Sequence, residues 1–118
     1  MKARGINVSF ASDNTRDPFY AYGDLDMLEV MREATRIGHL DHSHGEWPLA
    51  FNMTPADICG FAAPNPSGQP ATFVLYNART WTELLARPQS DRVVVRNGVQ
   101  IDRTLPDYRE LDDLMEPA

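Results

Sequence analysis

One cysteine, three histidines and eleven basic residues against seventeen acids mark what this chain has little of. Cys59 alone cannot close an internal disulfide, so folding must rest on packing, and a reducing compartment is expected. A net charge of −6 at pH 7 argues against a nucleic-acid backbone or an anionic membrane as partner. No apolar run approaches the roughly 20 residues of a membrane span, and Met1-Lys-Ala-Arg-Gly5 lacks the apolar core of a signal peptide. A soluble, cytoplasmic protein is therefore expected. A glycine-rich phosphate loop, a serine–histidine–aspartate arrangement and an internal repeat are also missing. What remains is 118 residues, 42% of them hydrophobic, enough for one domain with a modest core.

The organising stretch lies near the start. Ile6, Val8 and Phe10 alternate with Asn7 and Ser9, the period of a short strand. Asp13 stands where that strand runs out, and Asn14, Asp17 and Pro18 make a loop. From Leu25 to Leu40 a helix is predicted, with Met27, Val30, Met31, Ala34 and Ile37 forming one apolar stripe. Asp24 and Asp26 suit its positive end, and Arg36 and His39 the other. A carboxylate between strand and helix is where barrel enzymes place reactive acids. Asx residues also serve as caps and turn formers in such loops, so both roles stay open for Asp13. Lys2-Ala-Arg-Gly5 reads as the end of a preceding helix. A parallel strand needs neighbours that no other segment supplies, so the chain reads as part of something longer.

Further on, His42-Ser-His44 copies the spacing of a two-histidine metal pair. It follows a helix rather than a strand, among Asp41, Gly45 and Glu46, and reads as an exposed turn; a zinc site needs three or four converging ligands. Thr54-Pro-Ala-Asp57 predicts a short helix with Thr54 as cap. Cys59, in apolar company without a basic neighbour, reads as a packed, inert thiol. A proline- and glycine-punctuated connection over residues 63–70 divides the chain into 1–62 and 63–118. Beyond it, residues 71–77 read as a strand, Thr80-Trp-Thr-Glu83 as a capping box, and Pro88 as a helix stop. Arg92-Val-Val-Val-Arg96, Asn97-Gly98 and Val99-Gln-Ile-Asp102 read as a hairpin with a type I′ turn. An acidic tail with a short helix closes the sequence.

The block Val8-Ser-Phe-Ala-Ser-Asp13-Asn14-Thr-Arg-Asp17-Pro18-Phe19-Tyr20, then Gly23-Asp-Leu-Asp-Met-Leu28, resembles the final barrel strand and following helix of cytosine-deaminase-type amidohydrolases. The Arg-Val-Val-Val-Arg-Asn-Gly hairpin is similar to one in the small β-domain of the same enzymes. The resemblance implies an α/β fold, a C-terminal portion of an amidohydrolase TIM barrel (last strand and helix) with antiparallel strands of the β-domain. It implies hydrolytic deamination of cytosine or a related cyclic amidine by the whole enzyme, with a divalent metal, zinc or iron. Asp13 falls where the family binds that metal and moves a proton from its water. Phe19 falls at the aromatic beside the substrate ring, and Asn14 where some members carry a second acid that shapes substrate choice. Asp17 would hold the loop by bonding nearby backbone N–H groups. The other metal histidines and the glutamate acid/base have no counterpart here. The chain by itself is thus expected to bind no metal and to be inactive. The alternatives are a sister amidohydrolase acting on another cyclic amide or triazine, and a non-catalytic remnant or subunit that docks to a partner chain. A nucleobase-like substrate is implied for the whole enzyme, and a homo-oligomer is left open.

Overall fold

In a computed structural model, residues 2–43, 46–62, 65, 67–105 and 107–115 are described, apart from the side chains of Ala3, His42 and Ser43. The His42–His44 pair therefore lies outside the described residues. The chain divides into two compact units, Met1–Gly68 with Ala78–Pro88, and Gln69–Asn77 with Gln89–Ala118. Helix and strand are mixed, with one three-stranded antiparallel sheet among the described residues. No described helix is long and apolar enough to cross a membrane.

The first unit is built on helix α1, Met27–Gly38. It starts two residues later than its apolar period suggested because Asp26 is the cap: its carboxylate accepts from the Leu28 N–H at 3.0 Å. Asp24 bonds instead to the neighbouring Leu25 N–H. His39, left-handed at φ 51°, ends the helix by donating its N–H to the Thr35 carbonyl. The apolar stripe meets a small core: Val30, Met31 and Ala34 pack against buried Leu40, Ala50 and Phe51. Those last two belong to a 3-10 turn, Trp47–Phe51, that runs straight into α2, Met53–Ile58.

Three expectations for this unit are corrected. Ile6–Phe10 is extended but is not a strand. A strand is defined by its ladder, and no second strand runs beside this segment among the described residues. It is pinned at one point, where the Phe10 N–H donates to the Ala50 carbonyl at 3.0 Å and the Phe10 ring stacks on Phe51. Thr54 is not a cap, because the preceding turn delivers the chain to the helix early and Asn52 accepts the Met53 N–H. Pro55 still fits, since N–H groups of a first helical turn lack internal partners anyway. Cys59 is exposed, not packed. It follows a helix of only six residues whose end is open to solvent, where Ile58 and Phe61 are exposed as well.

Helix α3, Trp81–Leu85, opens on Thr80, whose hydroxyl accepts the Glu83 N–H at 3.1 Å. The Glu83 carboxylate reaches back to the Arg79 N–H. In the second unit, β1 (Phe73–Leu75), β2 (Val93–Arg96) and β3 (Val99–Gln100) pair in that order, with Phe73 opposite Val95 and Arg96 opposite Val99. Asn97 and Gly98 both have positive φ, 51° and 81°, as the expected type I′ turn requires. The turn is tied to the start of β1, since Gly98 donates to the Ala71 carbonyl and Asn97 to the Thr72 hydroxyl. Arg103 donates to the carbonyls of Ser90 and Arg92, closing the base of the hairpin. In the tail, Asp107 caps the turn Tyr108–Leu111, which leads into α4, Asp112–Met115. The Arg109 guanidinium beside Asp107 holds its carboxyl below the usual carboxylate range.

Asp26→Ala should lower the stability of the chain by about 1 kcal/mol, the usual cost of a lost N-cap. Urea unfolding followed by circular dichroism measures it; an unchanged midpoint would mean that the cap is redundant.

Candidate functional site

The loop from Ala11 to Asp26 joins the pinned Phe10 to the capped start of α1, and it carries all three candidate residues. Asp13 sits at its entrance, exposed, with a left-handed backbone at φ 55°. Aspartate tolerates that region better than most L-residues do, because its short polar side chain can bond locally. Asn14 follows it directly. Phe19 lies near the tip, with 87% of its surface open to solvent.

Asp17 gives the tip its shape. One carboxylate oxygen accepts from both the Phe19 and the Tyr20 N–H groups, at 2.9 and 3.0 Å. Its own N–H donates to the Tyr20 carbonyl at 3.1 Å. The structural role expected for Asp17 is thus seen directly. Arg16, also left-handed at φ 55°, closes the loop with an N–H bond to the Tyr22 carbonyl and a side-chain bond to the Gly23 carbonyl, both at 3.2 Å. Tyr20 and Tyr22 meet edge to face at 5.8 Å.

Between this loop and α1 lies an open cleft of about 460 Å³, walled by Phe10, Tyr20, Val30, Ala34 and Ile37. Asn14 lines it, while Asp13 and Phe19 do not. Glu33 also lines it, and is paired with Arg36 at 2.6 Å and Arg32 at 3.6 Å. Of the three candidates, Asn14 is the one that lines the cleft. Sequence reasoning missed the Arg16 closure, the tyrosine pair and the cleft. The Tyr20-x-Tyr22 spacing was the one available signal.

For a catalytic metal, Asp13 is the described residue that the sequence resemblance puts forward as a ligand. Nowhere among them do three or more His, Cys, Asp or Glu side chains converge. Since a catalytic zinc takes three protein ligands, these residues do not form such a site by themselves.

The chain is similar to a pterin deaminase of Rhizobium rhizogenes, with 55% identity over 119 aligned residues. The alignment covers 98% of this chain and 27% of that protein, so the chain spans about a quarter of its curated relative's length. Identity at that level means common descent, and the chain is homologous to part of a deaminase. No family model and no solved structure matches it.

Because Asp17 holds two amides, removing its acceptor should free the loop tip. In Asp17→Ala, hydrogen exchange at the Phe19 and Tyr20 amides should quicken by about tenfold, the equivalent of roughly one hydrogen bond. Asp17→Asn keeps an acceptor oxygen and should stay near the parent. Equal exchange in all three proteins would show that the Asp17 bonds do not shape the loop.

Proposed function

We propose that this chain is the C-terminal part of a hydrolytic deaminase of the metal-dependent amidohydrolase type, acting on the ring amine of a pterin or a close relative. The similarity of nearly the whole chain to a pterin deaminase carries the reading. The Asp13–Tyr20 loop supports it from the chemical side. Cytosine, which the motif resemblance alone would suggest, has an amino-bearing pyrimidine ring without a fused second ring. The relative's substrate favours the bicyclic ring.

Deamination adds water at the amino-bearing carbon, breaks the C–N bond and releases ammonia, leaving a ring carbonyl. A carboxylate placed at that carbon can take a proton from the attacking water and return it to the ring nitrogen or the departing amine. Asp13 is the residue we assign to this task, and it would also be one ligand of a divalent metal, zinc or iron. The other ligands would come from the rest of a longer chain. Phe19, exposed and fixed at its amide, provides a flat apolar surface for a ring to lie on. Asn14, with a donor and an acceptor on a neutral amide, would read the polar edge of the substrate.

The test is an exchange enzyme in which these 118 residues replace the matching quarter of the Rhizobium deaminase. Ammonia release from pterin should exceed that from cytosine. Asp13→Asn should cost about 10²–10⁴ in kcat/KM, the range for a lost general base. Asn14→Ala should shift KM and the pterin-to-cytosine ratio more than kcat. Full activity of Asp13→Asn would refute the assignment of Asp13, and preference for cytosine would refute the assignment of the ring.

A further inference from the structure

Arg16 has no role in the reading above, yet it has the most specific geometry in the loop. Its backbone is left-handed at φ 55°, a region that a long L side chain rarely enters and keeps only where its surroundings demand it. Two bonds make that demand. The Arg16 N–H donates to the Tyr22 carbonyl and the guanidinium Nε to the Gly23 carbonyl, each at 3.2 Å, so one residue grips two consecutive carbonyls. Inside the ring so closed lie the Asp17 turn and Phe19, with Asp13 three residues before it.

The receiving end is equally constrained. Gly23 has φ 85°, and a Cβ there would come within 3.2 Å of the Tyr20 ring, tighter than ordinary contact. The carbonyl that Arg16 grips therefore belongs to a position that glycine alone fills without strain, against the ring of Tyr20, whose backbone N–H is held by Asp17. Donor, acceptor and turn form one closed unit. The Arg16 guanidinium is thereby engaged in holding backbone, and its position in the loop is fixed from two directions.

We propose that Arg16 is a positioning residue for catalysis: by clamping the Tyr22 and Gly23 carbonyls it closes the ring that carries Phe19 and fixes the chain three residues after Asp13. The proposal rests on the reading of Asp13 as the reacting carboxylate. A carboxylate must lie within hydrogen-bond reach of the proton it moves, and a misplacement of about 1 Å can cost about 10² in rate. A loop free to open at its base cannot hold that tolerance.

Arg16→Ala removes one bond of the clamp, Arg16→Lys retains a donor and charge without the planar fork, and Gly23→Ala disturbs the clamp from the acceptor side. In the 118-residue chain, Arg16→Ala should speed hydrogen exchange at the amides of residues 16 and 17 by about tenfold. In the exchange enzyme, Arg16→Ala and Gly23→Ala should each lower kcat on pterin about 10- to 100-fold, per folded molecule. KM should move by less than about threefold, and Arg16→Lys should recover part of kcat. Unchanged amide exchange in Arg16→Ala would overturn the clamp. Faster exchange with kcat at the parent value, while Asp13→Asn abolishes activity, would overturn the catalytic role and leave Arg16 a loop residue. If Asp13→Asn itself kept full activity, the underlying reading would fail first, whatever Arg16 does.

Discussion

The contact between Phe10 and the turn at Ala50–Phe51 is what the rest of the first unit depends on. A backbone bond of 3.0 Å and a ring stack at 4.8 Å fix one end of the Ala11–Asp26 loop, and the Asp26 cap on α1 fixes the other. Leu28, Leu40, Ala50 and Phe51 are the buried apolar residues among those described, so the core has little redundancy. An aromatic pair contributes about 0.5–1.5 kcal/mol beyond its buried area, a large share of what such a small core can supply. Without that contact the segment before Asp13 would have no register, since no ladder holds it.

On this anchored base the loop carries strain. Asp13 and Arg16 both have left-handed backbones, at a cost of about 1–2 kcal/mol for a residue such as Arg16 and less for an aspartate. The bonds made by Asp17 and Arg16 offset that cost by closing the chain on itself. A self-closed loop can keep its shape while one face is given to chemistry, which is the usual division of labour between a scaffold and a binding loop.

How much of this was legible depended on whether the feature is local. The Asn97-Gly98 turn was readable because two positive φ angles demand those residue types. Asp17 was readable because an Asx residue before proline bonds the amides that follow it. The α1 stripe was readable from its period, and its ends drew in to the Asp26 cap and the left-handed His39. Ile6–Phe10 was not, because pairing is a relation between segments, and alternation says nothing of whether a partner exists. Cys59 failed for a related reason: apolar neighbours in sequence do not say what covers a six-residue helix. Arg16 gave no signal, since nothing in its side chain announces a left-handed backbone. The substrate ring was the last part beyond reach, because a motif block that resembles one group of deaminases does not by itself name the heterocycle they act on.

The central claim is that Asp13 serves a deaminase by reaching its metal from this loop. Anomalous diffraction at the zinc edge, on crystals of the zinc-loaded exchange enzyme, tests it most directly. The account predicts a carboxylate oxygen of Asp13 at roughly 2.0–2.2 Å from the ion, with the Arg16 clamp closed behind it. A zinc ion fully coordinated by other residues, with Asp13 turned to solvent, would contradict it.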